Sequence, residues 1–136
     1  NSHIHPKLNF IYATLQDISV DLLLKLKRDT TAVLLIDTNN EHGMAEQRRL
    51  FMELMTENCQ VPVILCRSYE NLLPQDLQLF SATDVGALLI DGLGDGIFLR
   101  TENSGTLPEI NHVAFGILQY KAHWLVCRTC KTLHGC

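Results

Sequence analysis

One short apolar run occurs twice in this chain. Val33-Leu34-Leu35-Ile36-Asp37 returns 54 positions later as Ala87-Leu88-Leu89-Ile90-Asp91, and the same offset lays Phe10-Ile11 on Ile64-Leu65. Each run is an unbroken apolar stretch closed by an aspartate, without the in-and-out alternation of a strand that is wet on one side. Such runs suit strands covered on both faces, which implies a parallel sheet whose strands are joined by crossover helices. Segments with helical spacing lie between them, so the pattern predicts βα units of about 27 residues.

The units follow in order. Leu8 to Leu15, rich in aromatic and branched residues, reads as a first strand. Ser19 suits an N-cap, with Asp21 in the first turn of the next helix and Lys25, Lys27 and Arg28 in its last, as the helix dipole favours. Ile18, Leu22 and Leu26 give that helix its apolar stripe. Ala32 to Ile36 is the second strand. Met44 to Asn58 is a helix with Leu50, Phe51, Leu54 and Met55 on its inner face and Glu46, Gln47, Arg48 and Glu53 on its wet side. Pro62 to Cys66 is the third strand, and Pro74 fits the first turn of a third helix whose Leu77 and Phe80 face inward. Ala87 to Ile90 reads as a fourth strand that empties into the glycine-rich loop after Asp91. Glu109 to Tyr120 forms the last helix.

The expected class is therefore α/β, with repeated βα units around a parallel sheet. Four units make half of a (βα)8 barrel or a small open sheet. The similar loop lengths, and the lack of a phosphate fingerprint after the first strand, favour the partial TIM-barrel-like form. Right-handed crossovers gather the post-strand loops at one end. Asp37, Arg67 and Asp91 are thus expected on one rim, beside Asn39, Asn40, His42 and Asp95 and the alternate glycines Gly92, Gly94 and Gly96. Paired carboxylates there could hold Mg2+ or act as acid and base. The plainer reading is capping aspartates and a flexible turn, and no nucleophile set accompanies them.

The totals narrow the partners. With 136 residues and 46% hydrophobic composition the chain can bury one core. Its 11 basic residues against 15 acidic ones, without a Lys/Arg cluster, argue against nucleic acid. No apolar run is long enough to cross a bilayer, so no membrane role is expected and a cytoplasmic setting is. The polar opening and a terminal cysteine cluster suggest a piece of something larger. Of the five cysteines, Cys59 and Cys66 sit in apolar surroundings, as small buried hydrophobes. Cys127 and Cys130 form a Cys-x-x-Cys pair that can grip a metal ion or an iron-sulfur cluster, and His134 and Cys136 would complete a zinc knuckle.

Leu88-Leu89-Ile90-Asp91-Gly92-Leu93-Gly94-Asp95-Gly96-Ile97 resembles a hallmark of the 4-hydroxy-3-methylbut-2-enyl diphosphate synthase (GcpE/IspG) family in its three-domain form. Asp29-Thr30-Thr31-Ala32-Val33, Ile36-Asp37-Thr38-Asn39-Asn40, Pro62-Val63-Ile64-Leu65 and Phe115-Gly116-Ile117-Leu118-Gln119 follow in the same order. The resemblance implies that residues 1–120 are an inserted βα-repeat, barrel-like domain and that residues 121–136 open a C-terminal iron-sulfur domain. It implies a [4Fe-4S] cluster with Cys127 and Cys130 among its ligands. In the full enzyme it implies ferredoxin or flavodoxin as electron donor and a cyclic diphosphate substrate of isoprenoid biosynthesis, the neighbouring domains of the same chain being the insert's own partners. The tail departs from the family's Cys-Pro-Ser-Cys-Gly-Arg-Thr-Leu segment: Arg128 stands in place of Pro, and Lys131 where Gly-Arg is expected. The insert is expected to be structural and inactive alone, with no catalytic residue of its own. The alternatives are a stand-alone small-molecule or Mg2+-binding domain using Asp37 and Asp91, and a zinc-binding interaction module built on the terminal Cys/His cluster.

Overall fold

The computed structural model describes the backbone of residues 4–129 and the side chains of residues 4–120. Four parallel strands, β1 (Asn9–Ala13), β2 (Ala32–Ile36), β3 (Val63–Glu70) and β4 (Gly96–Glu102), lie side by side in sequence order. Helices α1 (Val20–Arg28), α2 (Gly43–Thr56), α3 (Pro74–Ser81) and α4 (Ala87–Ile90) connect them, and α5 (Leu107–Thr129) follows β4. The sheet is parallel and α/β alternation holds throughout, as the apolar runs require.

Local chemistry sets several boundaries. The Ser19 hydroxyl accepts from the Leu22 amide at 3.2 Å and starts α1, while basic residues fill its last turn. Pro74 opens α3, where its missing N–H costs nothing. Glu109 accepts from the Thr106 amide at 2.7 Å and from its hydroxyl, which fastens the start of α5 and lowers the Glu109 pKa below its ordinary value, the backbone N–H being the main cause.

The sequential strand order, with right-handed crossovers, keeps the helices on one face of the sheet. Leu34, Ile36 and Leu65 point to that face and are fully buried with Leu50, Leu54, Val85, Leu88 and Leu89. Alternation sends Phe10, Tyr12, Val33, Leu35, Ile64 and Phe98 to the opposite face. There Phe10, Tyr12 and Phe98 are 59%, 55% and 49% exposed, and the other three are half-buried. The sheet therefore has one packed face and one open, largely apolar face.

The fourth strand is not where the repeat places it. Ala87–Ile90 is helical, continuing α3 through a wide π-turn at Ala82–Gly86, and β4 begins at Gly96. Leu77, Ser81, Val85, Leu88 and Leu89 form one buried helical face across this whole stretch. A four-residue apolar run fits a buried helix as well as a buried strand, and here packing on the sheet decided for the helix. The 54-residue repeat therefore matches β2 with α4, although its second pair does match β1 with β3. The units start at Asn9, Ala32, Val63 and Gly96, so they are unequal in length.

Three side chains also depart from expectation. Met55 and Phe80 are exposed, whereas Gln47, expected on the wet side of α2, is buried. Its Nε2 donates to the carbonyls of Ile36 at 3.0 Å and Cys66 at 2.9 Å, so a polar residue ties α2 to the end of β2 and the middle of β3. Its Oε1 is buried without a partner among the described residues.

Candidate functional site

At the carboxyl ends of the strands two ion-paired clusters form, one on each face of the sheet. Asp37, directly after β2, is buried on the open face. One carboxylate oxygen accepts from its neighbour Thr38 N–H at 2.8 Å, and the other accepts from the Tyr12 hydroxyl at 2.6 Å and from the guanidinium of Arg100 on β4. Arg100 also donates to the Ser68 hydroxyl at 3.1 Å, and its guanidinium carbon lies 5.9 Å from the Tyr12 ring centre. Strands are spaced about 4.8 Å apart, so β4 and β1 would be separated by roughly 14 Å in a flat sheet. Arg100 reaches Asp37 over two strand spacings and the Tyr12 ring over three through the length of its own side chain.

Cys66 sits in the floor of this cluster. Burial, and then the negative charge of Asp37, push its thiol up to about 12. It is therefore an unreactive neutral thiol at ordinary pH. The hydrogen bond to Asp37 raises the Tyr12 hydroxyl above its usual range, and Arg100 is raised chiefly by its own contact with Tyr12.

On the helix side, Arg67 of β3 is buried and donates through Nε and Nη2 to Asp84 at 3.1 and 2.9 Å. The Tyr69 hydroxyl donates to the same Asp84 oxygen at 2.9 Å, and burial raises the Tyr69 hydroxyl well above its ordinary value. The other arm of Arg67 donates to the Thr38 and Asn40 carbonyls, both at 3.2 Å, which shapes the loop after β2. Gly43 leaves the room this arm needs: a Cβ there would lie 2.1 Å from Arg67 Nη1. The Thr38 hydroxyl donates to Glu46 of α2 at 2.9 Å and accepts from the Asn40 amide. Arg100 is paired with Asp37 and Arg67 with Asp84, so the two clusters work as clamps between strands and the elements that follow them.

The predicted rim is therefore only half assembled. Arg67 holds the backbone of the loop after Asp37 at Thr38 and Asn40, while the Asp37 carboxylate turns to the other face, and Asn39 and Asn40 are exposed. Asp91, Gly92, Gly94, Asp95 and Gly96 lie at the opposite, amino-terminal end, because the residues before Asp91 form a helix that returns the chain there. The Asp95 carboxylate accepts from the Val63 amide at 2.8 Å and its own amide donates to the Val63 carbonyl, which pins the loop to the start of β3. Asp91 pairs with Arg48 of α2 at 2.5 Å. Gly94, with φ +91°, packs on Leu65, where a Cβ would meet the side chain at 3.0 Å. Gly92, with φ +83°, has open space around it.

Asp37 and Asp91 thus cannot share one Mg2+, which removes the two-aspartate site. Among the described residues no three His, Cys, Asp or Glu side chains gather to hold a metal ion. Cys59 and Cys66 are buried free cysteines, as expected. Cys130, His134 and Cys136 lie outside the described residues, as does the side chain of Cys127. Sequence reasoning missed Tyr12, Tyr69, Asp84 and Arg100. Strand alternation could have placed Tyr12 and Arg100 on one face, but Asp84 gave no signal, because Ala87 to Ile90 was expected to be a strand and not the continuation of its helix.

No helix among the described residues is long and apolar enough to cross a membrane. No family model matches the chain, and no solved structure does. Curated proteins do. The 4-hydroxy-3-methylbut-2-en-1-yl diphosphate synthase (flavodoxin) of Parabacteroides distasonis is 37% identical over 134 residues, which is 93% of this chain and 22% of the relative. The Bacteroides thetaiotaomicron protein of the same name is 33% identical over 135 residues, 94% of this chain and 22% of the relative. A 4-hydroxy-3-methylbut-2-en-1-yl diphosphate synthase (ferredoxin), chloroplastic, of Oryza sativa is 32% identical over 90 residues, 61% of this chain and 12% of the relative. The chain spans about a fifth of the length of the bacterial relatives it matches. Over nearly its whole length the chain is therefore similar to one segment of the 4-hydroxy-3-methylbut-2-en-1-yl diphosphate synthases.

Proposed function

We propose that this chain is a structural segment of an iron-sulfur oxidoreductase that reductively converts 2-C-methyl-D-erythritol 2,4-cyclodiphosphate to 4-hydroxy-3-methylbut-2-enyl diphosphate in isoprenoid biosynthesis. Residues 1–120 are the inserted βα-repeat domain and residues 121–136 the start of the cluster domain. The observation that carries this reading is the match to relatives of that name over nearly the whole chain while spanning only a fifth of them. The mutual pairing of Asp37 with Arg100 and of Arg67 with Asp84 supports a structural rather than catalytic role for the rim.

A [4Fe-4S] cluster, when bound to the full enzyme, supplies the electrons of the reduction, delivered by a flavodoxin or ferredoxin. The described residues do not fit such a cluster, since Cys59 and Cys66 are buried apart from any metal-holding group. Its candidate ligands in this chain are Cys127 and Cys130. The described residues hold the strand ends and contribute no step of the reaction, which takes place in the cytoplasm.

Replacing the matched segment of the Parabacteroides distasonis relative with residues 1–136 tests the reading. Retention of synthase activity in the chimera, with none in the isolated chain, is the expected result. A folded chimera without activity counts against it. Anaerobic reconstitution of the same chimera, followed by absorbance near ~400 nm, reports the cluster separately, and Cys127→Ala and Cys130→Ala are expected to abolish that band.

A further inference from the structure

We propose that the buried carboxamide of Gln47 holds an internal water molecule at the point where β2 and β3 part, with Gln47 Oε1 as the acceptor.

The sheet splits at this point. Leu34 N–H donates to the Pro62 carbonyl at 2.9 Å, and the parallel register runs only as far as Ile36 beside Leu65. Bonds from β2 to β3 recur at every second residue, so after Ile36 the next donor would be Thr38 N–H, and its acceptor the Cys66 carbonyl. Thr38 N–H turns instead to the Asp37 carboxylate, at 2.8 Å. Gln47 Nε2 takes its place, donating to the Cys66 carbonyl at 2.9 Å and to the Ile36 carbonyl at 3.0 Å. A side chain of α2 thus ends the ladder.

This use of Nε2 fixes which way the amide faces. Exchanging its nitrogen and oxygen would set Oε1 against two carbonyl oxygens, with no donor among the three. Oε1 is therefore turned away from both carbonyls, and it has no partner among the described residues. Gln47 is 1% exposed, so bulk solvent does not serve this oxygen. A strong acceptor that has lost its hydration and gained nothing in return is costly, and internal waters commonly satisfy such groups.

An internal water needs more than one polar neighbour, and the same layer supplies a donor. Gly43 and Gln47 lie one turn apart on α2, and the Arg67 guanidinium fills the space beside Gly43. Four of the five Arg67 N–H groups are used, two on Asp84 and one each on the Thr38 and Asn40 carbonyls. The fifth, on Nη2, is left over among the described residues, and it gives a water in this layer a donor as well as the Gln47 acceptor.

A crystal structure of the 136-residue chain that resolves ordered solvent tests the proposal directly. One water oxygen, enclosed by protein and about 2.7–3.2 Å from Gln47 Oε1, is expected. In solution, water-selective Overhauser spectra are expected to show a long-lived water cross-peak on the Gln47 side-chain amide. The Gln47→Met structure is expected to lose that water. A protein donor on Oε1, or an Oε1 that faces apolar atoms without a water, overturns the proposal. A water that stays in place in Gln47→Met overturns it as well, because the amide oxygen is then not what holds it. Should Gln47→Met fail to fold, the crystal structure and the spectra of the unmodified chain still decide.

Discussion

The guanidinium of Arg100, on β4, meets the carboxylate of Asp37, at the end of β2, across the intervening strand β3. Asp37 is 2% exposed, and it also accepts from Tyr12 on β1 and from the Thr38 amide. One carboxylate thus ties the first, second and fourth strands together on the open face of the sheet. The residues that mark a strand-end aspartate as a candidate catalyst are the same ones that occupy it as a tie.

Asp37→Ala removes the acceptor of three donors while leaving Arg100 able to reach water. Because Arg100 is half-exposed, the pair is screened, and the expected loss is about 2 kcal/mol rather than the larger penalty of a fully buried pair. Urea denaturation followed by circular dichroism measures it. A midpoint equal to that of the unmodified chain would mean that the tie carries no stability.

Gly43→Ala drives a methyl group into the Arg67 guanidinium and should cost about 2 kcal/mol or more, since Arg67 cannot retreat without leaving Asp84 and the Thr38 and Asn40 carbonyls. In a thermal melt the same substitution in an Arg67→Ala background is expected to cost less, because the closest clash is gone and only the Thr38 Cγ2 contact, at 2.8 Å, remains. Equal costs in both backgrounds would refute the steric account.

Gln47→Glu places a carboxyl where Ile36 and Cys66 carbonyls surround it. Burial favours the neutral acid, so the folded-state pKa rises above the unfolded value of about 4.3. The variant should then lose stability relative to the parent as pH rises above about 4, and approach the parent below that value. Denaturation midpoints at acid and neutral pH decide, and a pH-independent difference is the adverse outcome.

The Cys66 thiol, held up to about 12, stays protonated in the folded chain where an unfolded thiol, near 8.5, has ionised. Stability therefore falls as pH rises from about 9 toward about 12. In the folded protein at pH 8, iodoacetamide should leave the Cys66 peptide unmodified, whereas the urea-unfolded chain is alkylated there. Peptide mass mapping distinguishes Cys66 from the other cysteines.

Gly92→Ala and Gly94→Ala separate backbone strain from packing. Both residues have positive φ, so each methyl costs about 1 kcal/mol of backbone strain. Only Gly94 packs on Leu65, so its variant should be the less stable of the two by about 1 kcal/mol or more. Equal melting temperatures would place the glycine loop away from the core.

What the sequence by itself determined is local. The Ser19 cap, the charge order of α1, Pro74 at the start of α3, the bounds of β2 and the parallel α/β class all follow from periodicity and from which backbone groups need partners. Asp37 was also legible as a strand-end residue, whereas Arg67, expected just past a strand ending at Cys66, lies inside β3, which runs on to Glu70. Only the tertiary structure decided the rest. Ala87–Ile90 became helix, and the glycine loop moved to the other end of the sheet, as Val85, Leu88 and Leu89 continue the buried face of Leu77. Gln47 became core because carbonyls of β2 and β3 converge on it, and Asp37 became a tie because sheet pairing placed β4, and with it Arg100, within reach. A short apolar run has no period of its own, and a polar residue carries no mark of the distant group that will satisfy it. Both are settled only when separate elements meet.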